Sequence, residues 1–175
     1  MPFARSGPRM LTRLLLTLAA LALFSDLALP QSQGVPPALA LPQGASLLGK
    51  YAAQGVQIYV CRAKGAGNEW AFKAPEADLV DAEGRPFAKH YAGPSWEAPD
   101  GSKAVGKVLA NEPAPNAGAI PWLLLSTESS GSGELAGVRF VQRVNTSGGA
   151  APSGPCPTVG AEQRVDYTAD YIFYK

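Results

Sequence analysis

Alternation between apolar and polar side chains near the C-terminus constrains this fold more than any other feature of the sequence. One set of positions in residues 165–174 is apolar or aromatic: Val165, Tyr167, Ala169, Tyr171 and Phe173. The intervening positions include Asp166 and Asp170. A period of two is typical of a β-strand that buries one face and exposes the other. The segment is therefore predicted to be a strand with both aspartates on its polar face.

Short β-type segments recur from residue 47 onwards, separated by turns that contain glycine or proline. They are residues 47–53, 56–62, 70–74, 79–81, 86–91, 103–109, 120–125 and 138–144. Gln54-Gly55 is predicted to be a turn or a bulge, and Pro75 is predicted to end a strand. The 19 Gly, 16 Pro and 46% apolar residues suit a turn-rich β protein. Together these features predict an all-β, single-domain antiparallel β-sandwich or barrel.

The N-terminus has the features of a secretory leader. Arg5, Arg9 and Arg13 precede the apolar run 14–24, which is short for a membrane span and of the right length for the core of a signal peptide. We predict a signal peptide at residues 1–30, a flexible arm at 31–46 and the all-β domain at 47–175. An uncleaved anchor is the alternative. Export places the domain in the periplasm or outside the cell, with no membrane span after leader removal.

The two cysteines, Cys61 and Cys156, lie far apart in the sequence and match no metal or redox spacing. In an oxidising compartment their expected state is a disulfide bond. Cys61 follows an alternating segment in which Val56, Ile58 and Val60 share one face, so its side chain is expected to point away from these aliphatic residues.

Overall charge and histidine content exclude several classes of function. The 15 basic and 14 acidic residues are nearly balanced, so the chain lacks the basic surface of a nucleic-acid-binding protein. A single histidine and two cross-linked cysteines do not supply a zinc or copper site, and we predict no metal and no cofactor. The predicted partner is a small molecule or a glycan. The oligomeric state is not predicted.

The stretch from His90 to Ser102 contains the only histidine of the chain, together with a tryptophan, two carboxylates and several turn-forming residues. It is predicted to be a loop between strands, and loops often carry binding residues. The candidate binding residues are His90, Tyr91, Ser95, Trp96, Glu97 and Asp100. Trp96 and Tyr91 would stack on a ligand, while His90, Ser95 and Glu97 would orient its polar groups.

Two alternatives to binding remain open for this stretch. A hydrolase would use His90 as general base, Ser95 or Ser102 as nucleophile, and Glu97 or Asp100 behind the histidine. The second glycine of the Gly-x-Ser-x-Gly elbow is missing, however, so we assign no catalytic residue. In a structural surface or envelope protein the same stretch would be a packed corner.

Successive blocks of the sequence resemble domain-of-unknown-function family 3455. The blocks begin at Gly55, Trp70, His90, Asp100, Gly118, Gln142 and Asp166, and they span about residues 41 to 175. The resemblance implies an exported domain of the kind found in bacteria and fungi, without an established activity. It therefore implies no catalytic residue.

Overall fold

The C-terminal alternating segment becomes the strand that closes the structure into a barrel. A computed structural model describes Met1 and residues 34–175, so the predicted signal peptide lies outside the described residues except for Met1. The strands are β1 Leu47–Lys64, β2 Gly67–Val80, β3 Pro86–Tyr91, β4 Ser95–Glu97, β5 Lys103–Glu112, β6 Trp122–Ser130, β7 Phe140–Gly148 and β8 Glu162–Tyr174. Each strand pairs antiparallel with the next, and β8 pairs with β1. The all-β prediction is confirmed, and the form of the sheet is a closed barrel.

Strand β1 runs without interruption through Gln54-Gly55, where the sequence predicts a turn or bulge. Gly55 serves a different purpose, because a Cβ atom there would lie 2.0 Å from the carbonyl oxygen of Glu76 on β2. Only glycine permits the two backbones to approach this closely.

Strand β2 likewise continues through Pro75, where the prediction of a strand end is wrong. The pairing of β3 with β2 begins only at Ala77, so one side of β2 has no neighbouring strand at Pro75.

The interior of the barrel is filled by side chains. The predicted buried face of β8 supplies Tyr167, Ala169, Tyr171 and Phe173. Other strands contribute Leu79, Phe87, Trp96, Leu125 and Val141, and the connections on either side of β6 contribute Ile120, Leu135 and Val138. Packing of this kind is usual for barrels of eight strands, whose interior is just wide enough for side chains.

A second apolar cluster lies outside the barrel wall and includes part of the predicted arm. Leu39, in the short 3₁₀ helix Pro37–Leu39, is fully buried with Trp122, Leu124 and Val144. The Gln142 side chain donates a hydrogen bond from Nε2 to the Leu39 carbonyl oxygen at 2.7 Å. Strand β6 is therefore covered on both faces, which explains its apolar sequence without alternation.

The predicted disulfide between Cys61 and Cys156 is confirmed. It attaches the long connection between β7 and β8 to β1. Two main-chain hydrogen bonds support the attachment, from Cys61 to the Ala161 carbonyl and from Gly160 to the Cys61 carbonyl. Among the described residues, no helix has the length and apolar character needed to cross a membrane.

Candidate functional site

The stretch predicted as a loop contains the short strand β4. Residues 92–94 form the turn between β3 and β4, and the pairing sets His90 opposite Trp96 and Tyr91 opposite Ser95. Side chains alternate across these two strands. The candidate residues of this stretch therefore lie on opposite faces of the barrel wall and do not form one site.

His90 faces the barrel interior and is only 3% exposed. Its ring stacks on Trp96 and also contacts Tyr171. Nδ1 lies 2.9 Å from the carbonyl oxygen of Ser95 and donates to it, which leaves Nε2 without a proton in the neutral ring. The pKa of His90 is lowered to about 4, mainly by burial; the Ser95 carbonyl opposes this shift and the charge of Arg143 adds to it. The imidazole is therefore neutral at neutral pH.

Trp96 is a core residue, with no exposed surface. A Cβ atom on Gly106 of β5 would lie 3.0 Å from the indole, so this glycine makes room for the ring. Ser95, the neighbouring candidate, is also buried, and its contact with His90 is through its main-chain carbonyl. Because Trp96 lies wholly inside the barrel, it cannot offer its ring to a ligand at the surface.

Tyr91 and Glu97 lie together on the outer face of the barrel. The Tyr91 hydroxyl donates to the Glu97 carboxylate, and the Lys103 ammonium lies 5.0 Å from the centre of the Tyr91 ring. Both residues line a second concavity, of about 850 Å³, which we call the side groove. The polar groups of this groove are already paired with each other, since Lys89 also forms an ion pair with Asp78.

Asp100 joins two turns at the end of the barrel away from His90. Its carboxylate accepts hydrogen bonds from the Ser102 amide, from the Ser102 hydroxyl and from the Glu134 amide, at 2.6 to 2.8 Å. These bonds lower the pKa of Asp100. The Ser102 hydroxyl in turn accepts a bond from the Leu135 amide. Asp100 therefore holds in place the segment that inserts Leu135 into the core.

His90 also lines a cavity of about 390 Å³ at the end of the barrel where the β3–β4 turn lies. We call this space the mouth cavity. Its polar lining consists of Gln57, Tyr59, Lys73, His90 and Arg143. Its apolar lining includes Phe72, Pro75, Pro94, Val108, Ile120 and Leu123. Of the six candidate residues from the sequence, His90 alone lines this cavity.

Gln57 is the least expected member of the cavity wall. It lies on β1, is 2% exposed, and its Nε2 has no hydrogen-bond partner. Its side chain lies near Tyr167. Burial and the neighbouring Tyr171 raise the pKa of Tyr167, whereas the Arg143 charge and the Gln57 side chain oppose that rise. The neighbouring Tyr59 hydroxyl is satisfied, since it donates to the Gly149 carbonyl at 2.7 Å. The wall of the cavity therefore contains an unpaired amide donor.

Arg143 is one of two basic side chains in the lining of the cavity, the other being Lys73. The Nε and Nη2 of Arg143 donate to the carbonyl oxygen of Pro121 at 3.1 and 2.9 Å. Within residues 34–175 it has no carboxylate partner. Burial raises the pKa of Tyr59, and the Arg143 charge opposes that shift. The positive charge of Arg143 therefore influences the pKa values of several groups at or near the cavity wall.

A family model described as "Protein of unknown function (DUF3455)" matches residues 42–175. The chain belongs to this family. The resemblance noted in the sequence is therefore confirmed. No curated protein and no solved structure matches the chain. The matched region begins just before β1 and contains every strand of the barrel, as well as all the residues of the mouth cavity.

Proposed function

We propose that this protein is an exported binding protein that holds a small organic molecule in the mouth cavity. The observation that carries the proposal is the Gln57 amide, which is buried at the cavity wall with its Nε2 unpaired. An unpaired buried donor costs roughly 1 to 3 kcal/mol of folding free energy. The nitrogen is covered in the structure, so the Gln57 side chain would turn towards a ligand that accepts its hydrogen bond, and this bond would recover part of the cost.

The size and position of the cavity support the same proposal. Its volume of about 390 Å³ lies in the range of small-molecule sites. Eight-stranded barrels commonly bind a ligand at one end. The side groove is larger, but its polar groups are paired with each other and leave no donor that requires a ligand.

The geometry of His90 favours binding over hydrolysis. A pKa of about 4 makes the imidazole a weak base at neutral pH, whereas an effective general base has a pKa near the working pH. Ser95 contacts the histidine through its carbonyl oxygen, and Asp100 is engaged by Ser102 and Glu134. These contacts give the candidate residues structural partners and do not form a triad.

Export is supported by the predicted leader and by the disulfide. A structural disulfide is the expected state of a cysteine pair in the periplasm or outside the cell. A role at the cell surface or in the envelope would be compatible with the same barrel.

A fluorescence titration with N-phenyl-1-naphthylamine, a neutral apolar dye, tests the binding proposal. Val108 lines the cavity and is 46% exposed, while the adjacent Leu109 is 52% exposed and does not line it. We expect the wild-type protein to bind the dye, Val108→Trp to weaken binding at least about fivefold, and Leu109→Trp to leave it unchanged. Absence of dye binding, or equal effects of the two substitutions, would contradict the proposal.

A further inference from the structure

The charges around the mouth cavity are unbalanced. Its lining contains two basic side chains, Lys73 and Arg143, and no carboxylate. Lys73 is compensated, because it forms an ion pair with Glu162. Arg143 donates only to a neutral carbonyl and has no ion-pair partner among the residues that the structure describes. One full positive charge therefore remains available at the cavity wall.

Hydrogen-bond donors are also left over beside that charge. A guanidinium has five N–H groups, and the bonds to Pro121 occupy only Nε and one position on Nη2. Gln57 adds its unpaired amide. A group with several acceptor oxygens and a negative charge is the natural complement of such donors, since arginine binds planar anions through two parallel bonds.

The outer part of the cavity is apolar. Phe72 is 53% exposed and Val108 is nearly as exposed, and both lie in the lining with Pro75 and Pro121. Apolar side chains that remain in water beside a concave polar site commonly cover the apolar part of a ligand.

We propose that the occupant of the mouth cavity is an amphipathic organic anion, whose acidic group is held by Arg143 and Gln57 and whose apolar body lies against Phe72 and Val108. This inference rests on the proposed binding function. We expect a neutral analogue of this anion to bind more weakly than the anion itself, and a neutral sugar to bind more weakly as well.

Two dyes of nearly the same shape, one neutral and one anionic, show how much the negative charge of a ligand contributes to its affinity. 8-Anilinonaphthalene-1-sulfonate has the body of N-phenyl-1-naphthylamine with one added sulfonate. We expect the wild-type protein to bind the sulfonate at least about tenfold more tightly, a preference that corresponds to one charge-assisted interaction. In Arg143→Gln this preference should disappear, so that the two dyes bind with equal affinity. In Arg139→Gln, an exposed arginine outside the cavity, both affinities should remain as in the wild type.

Two further measurements cover the case in which Arg143→Gln does not fold. Gln57→Leu, of similar volume, should weaken binding of the sulfonate several-fold more than binding of the neutral dye. The affinity of the wild-type protein for the sulfonate should fall with added salt more than its affinity for the neutral dye. Equal wild-type affinities for the two dyes, or a preference that survives Arg143→Gln, would overturn the anion inference and leave the binding proposal intact. Absence of binding of both dyes would overturn both.

Discussion

The imidazole of His90 stacks on the indole of Trp96, with ring centroids 4.7 Å apart and planes inclined by 10°. The two residues are direct cross-strand partners on β3 and β4, and aromatic pairs of this kind stabilise a sheet. The stack places the only histidine of the chain inside the core as a neutral ring. The histidine therefore acts first as a packing element, and only its approach to the mouth cavity connects it with the proposed binding site.

The buried state of His90 predicts that the protein loses stability in weak acid. Burial lowers its pKa from 6.5 to about 4, so the unfolded chain binds more protons than the folded chain between these two pH values. The free energy of unfolding therefore falls as the pH drops from 6.5 towards 4, by about 3 kcal/mol from this group. Urea unfolding at a series of pH values measures the slope.

His90→Gln is the control for this pH dependence, because glutamine does not titrate. We expect the variant to be less stable than the wild type at pH 7 and to show a smaller loss between pH 6.5 and 4. Identical slopes for the two proteins would show that carboxylates alone cause the acid sensitivity.

Gly55 is predicted to be essential for the pairing of β1 with β2. The Cβ atom of Gly55→Ala would overlap the main chain of Glu76 and Ala77, so the strands would have to separate. We expect a loss of at least about 3 kcal/mol in the free energy of unfolding, or no soluble protein. Gly67→Ala is the matched control, since a Cβ atom at Gly67 meets no other atom within 4 Å. Its expected effect is within about 0.5 kcal/mol. Equal thermal midpoints would contradict the prediction.

The sequence was sufficient to predict the class of fold, because strand β8 carries its aromatic residues on one face. It was not sufficient to orient β1. Three consecutive residues, Gln57, Ile58 and Tyr59, are buried, so both faces of β1 are covered. Alternation alone cannot tell which of two covered faces points into a barrel. Here the face with Gln57 and Tyr59 lines the mouth cavity.

The candidate site was harder to predict than the fold. Gln57 and Arg143 belong to no motif. They lie on β1 and β7, opposite different residues of β8, Val165 and Tyr171, so strand pairing alone does not indicate that both line the mouth cavity. The signal that could have indicated them is a polar residue at an inward position of a strand. Trp96 was hard to predict for the opposite reason, because it is a buried residue in a stretch with the composition of a loop. Its neighbours Pro94 and Pro99 suggest an exposed loop, whereas Gly106 on the adjacent strand β5 provides the space that buries it.

Leu39 is predicted to attach the segment before β1 to the barrel wall. It is fully buried, although its neighbours in the segment are largely exposed. We expect Leu39→Ala to lower the free energy of unfolding by about 2 to 4 kcal/mol and to make residues 34–46 sensitive to proteolysis. Leu47→Ala, at an exposed position, should change stability by less than about 0.5 kcal/mol. Protection of the segment in Leu39→Ala would show that the bond from Gln142 suffices.

The disulfide is predicted to stabilise both the fold and the mouth cavity. The linked cysteines are 95 residues apart in the sequence, and a cross-link of this span destabilises the unfolded chain by about 4.7 kcal/mol in the chain-entropy model. The bond also restrains the connection between β7 and β8, which contains Gly149. The Gly149 backbone packs against Gln57, and its carbonyl accepts the hydrogen bond from Tyr59.

The double variant Cys61→Ser with Cys156→Ser should therefore have two separate effects. Its midpoint of guanidinium unfolding should fall, because the unfolded chain gains entropy. Residues 150–160 should become accessible to protease under native conditions, and affinity for the neutral naphthylamine dye should decrease as the cavity wall loosens. Reduction of the wild-type protein should reproduce both effects, whereas the reductant should not change the double variant. An unchanged dye affinity together with lower stability would show that the main-chain bonds of Cys61 hold the wall of the cavity without the disulfide.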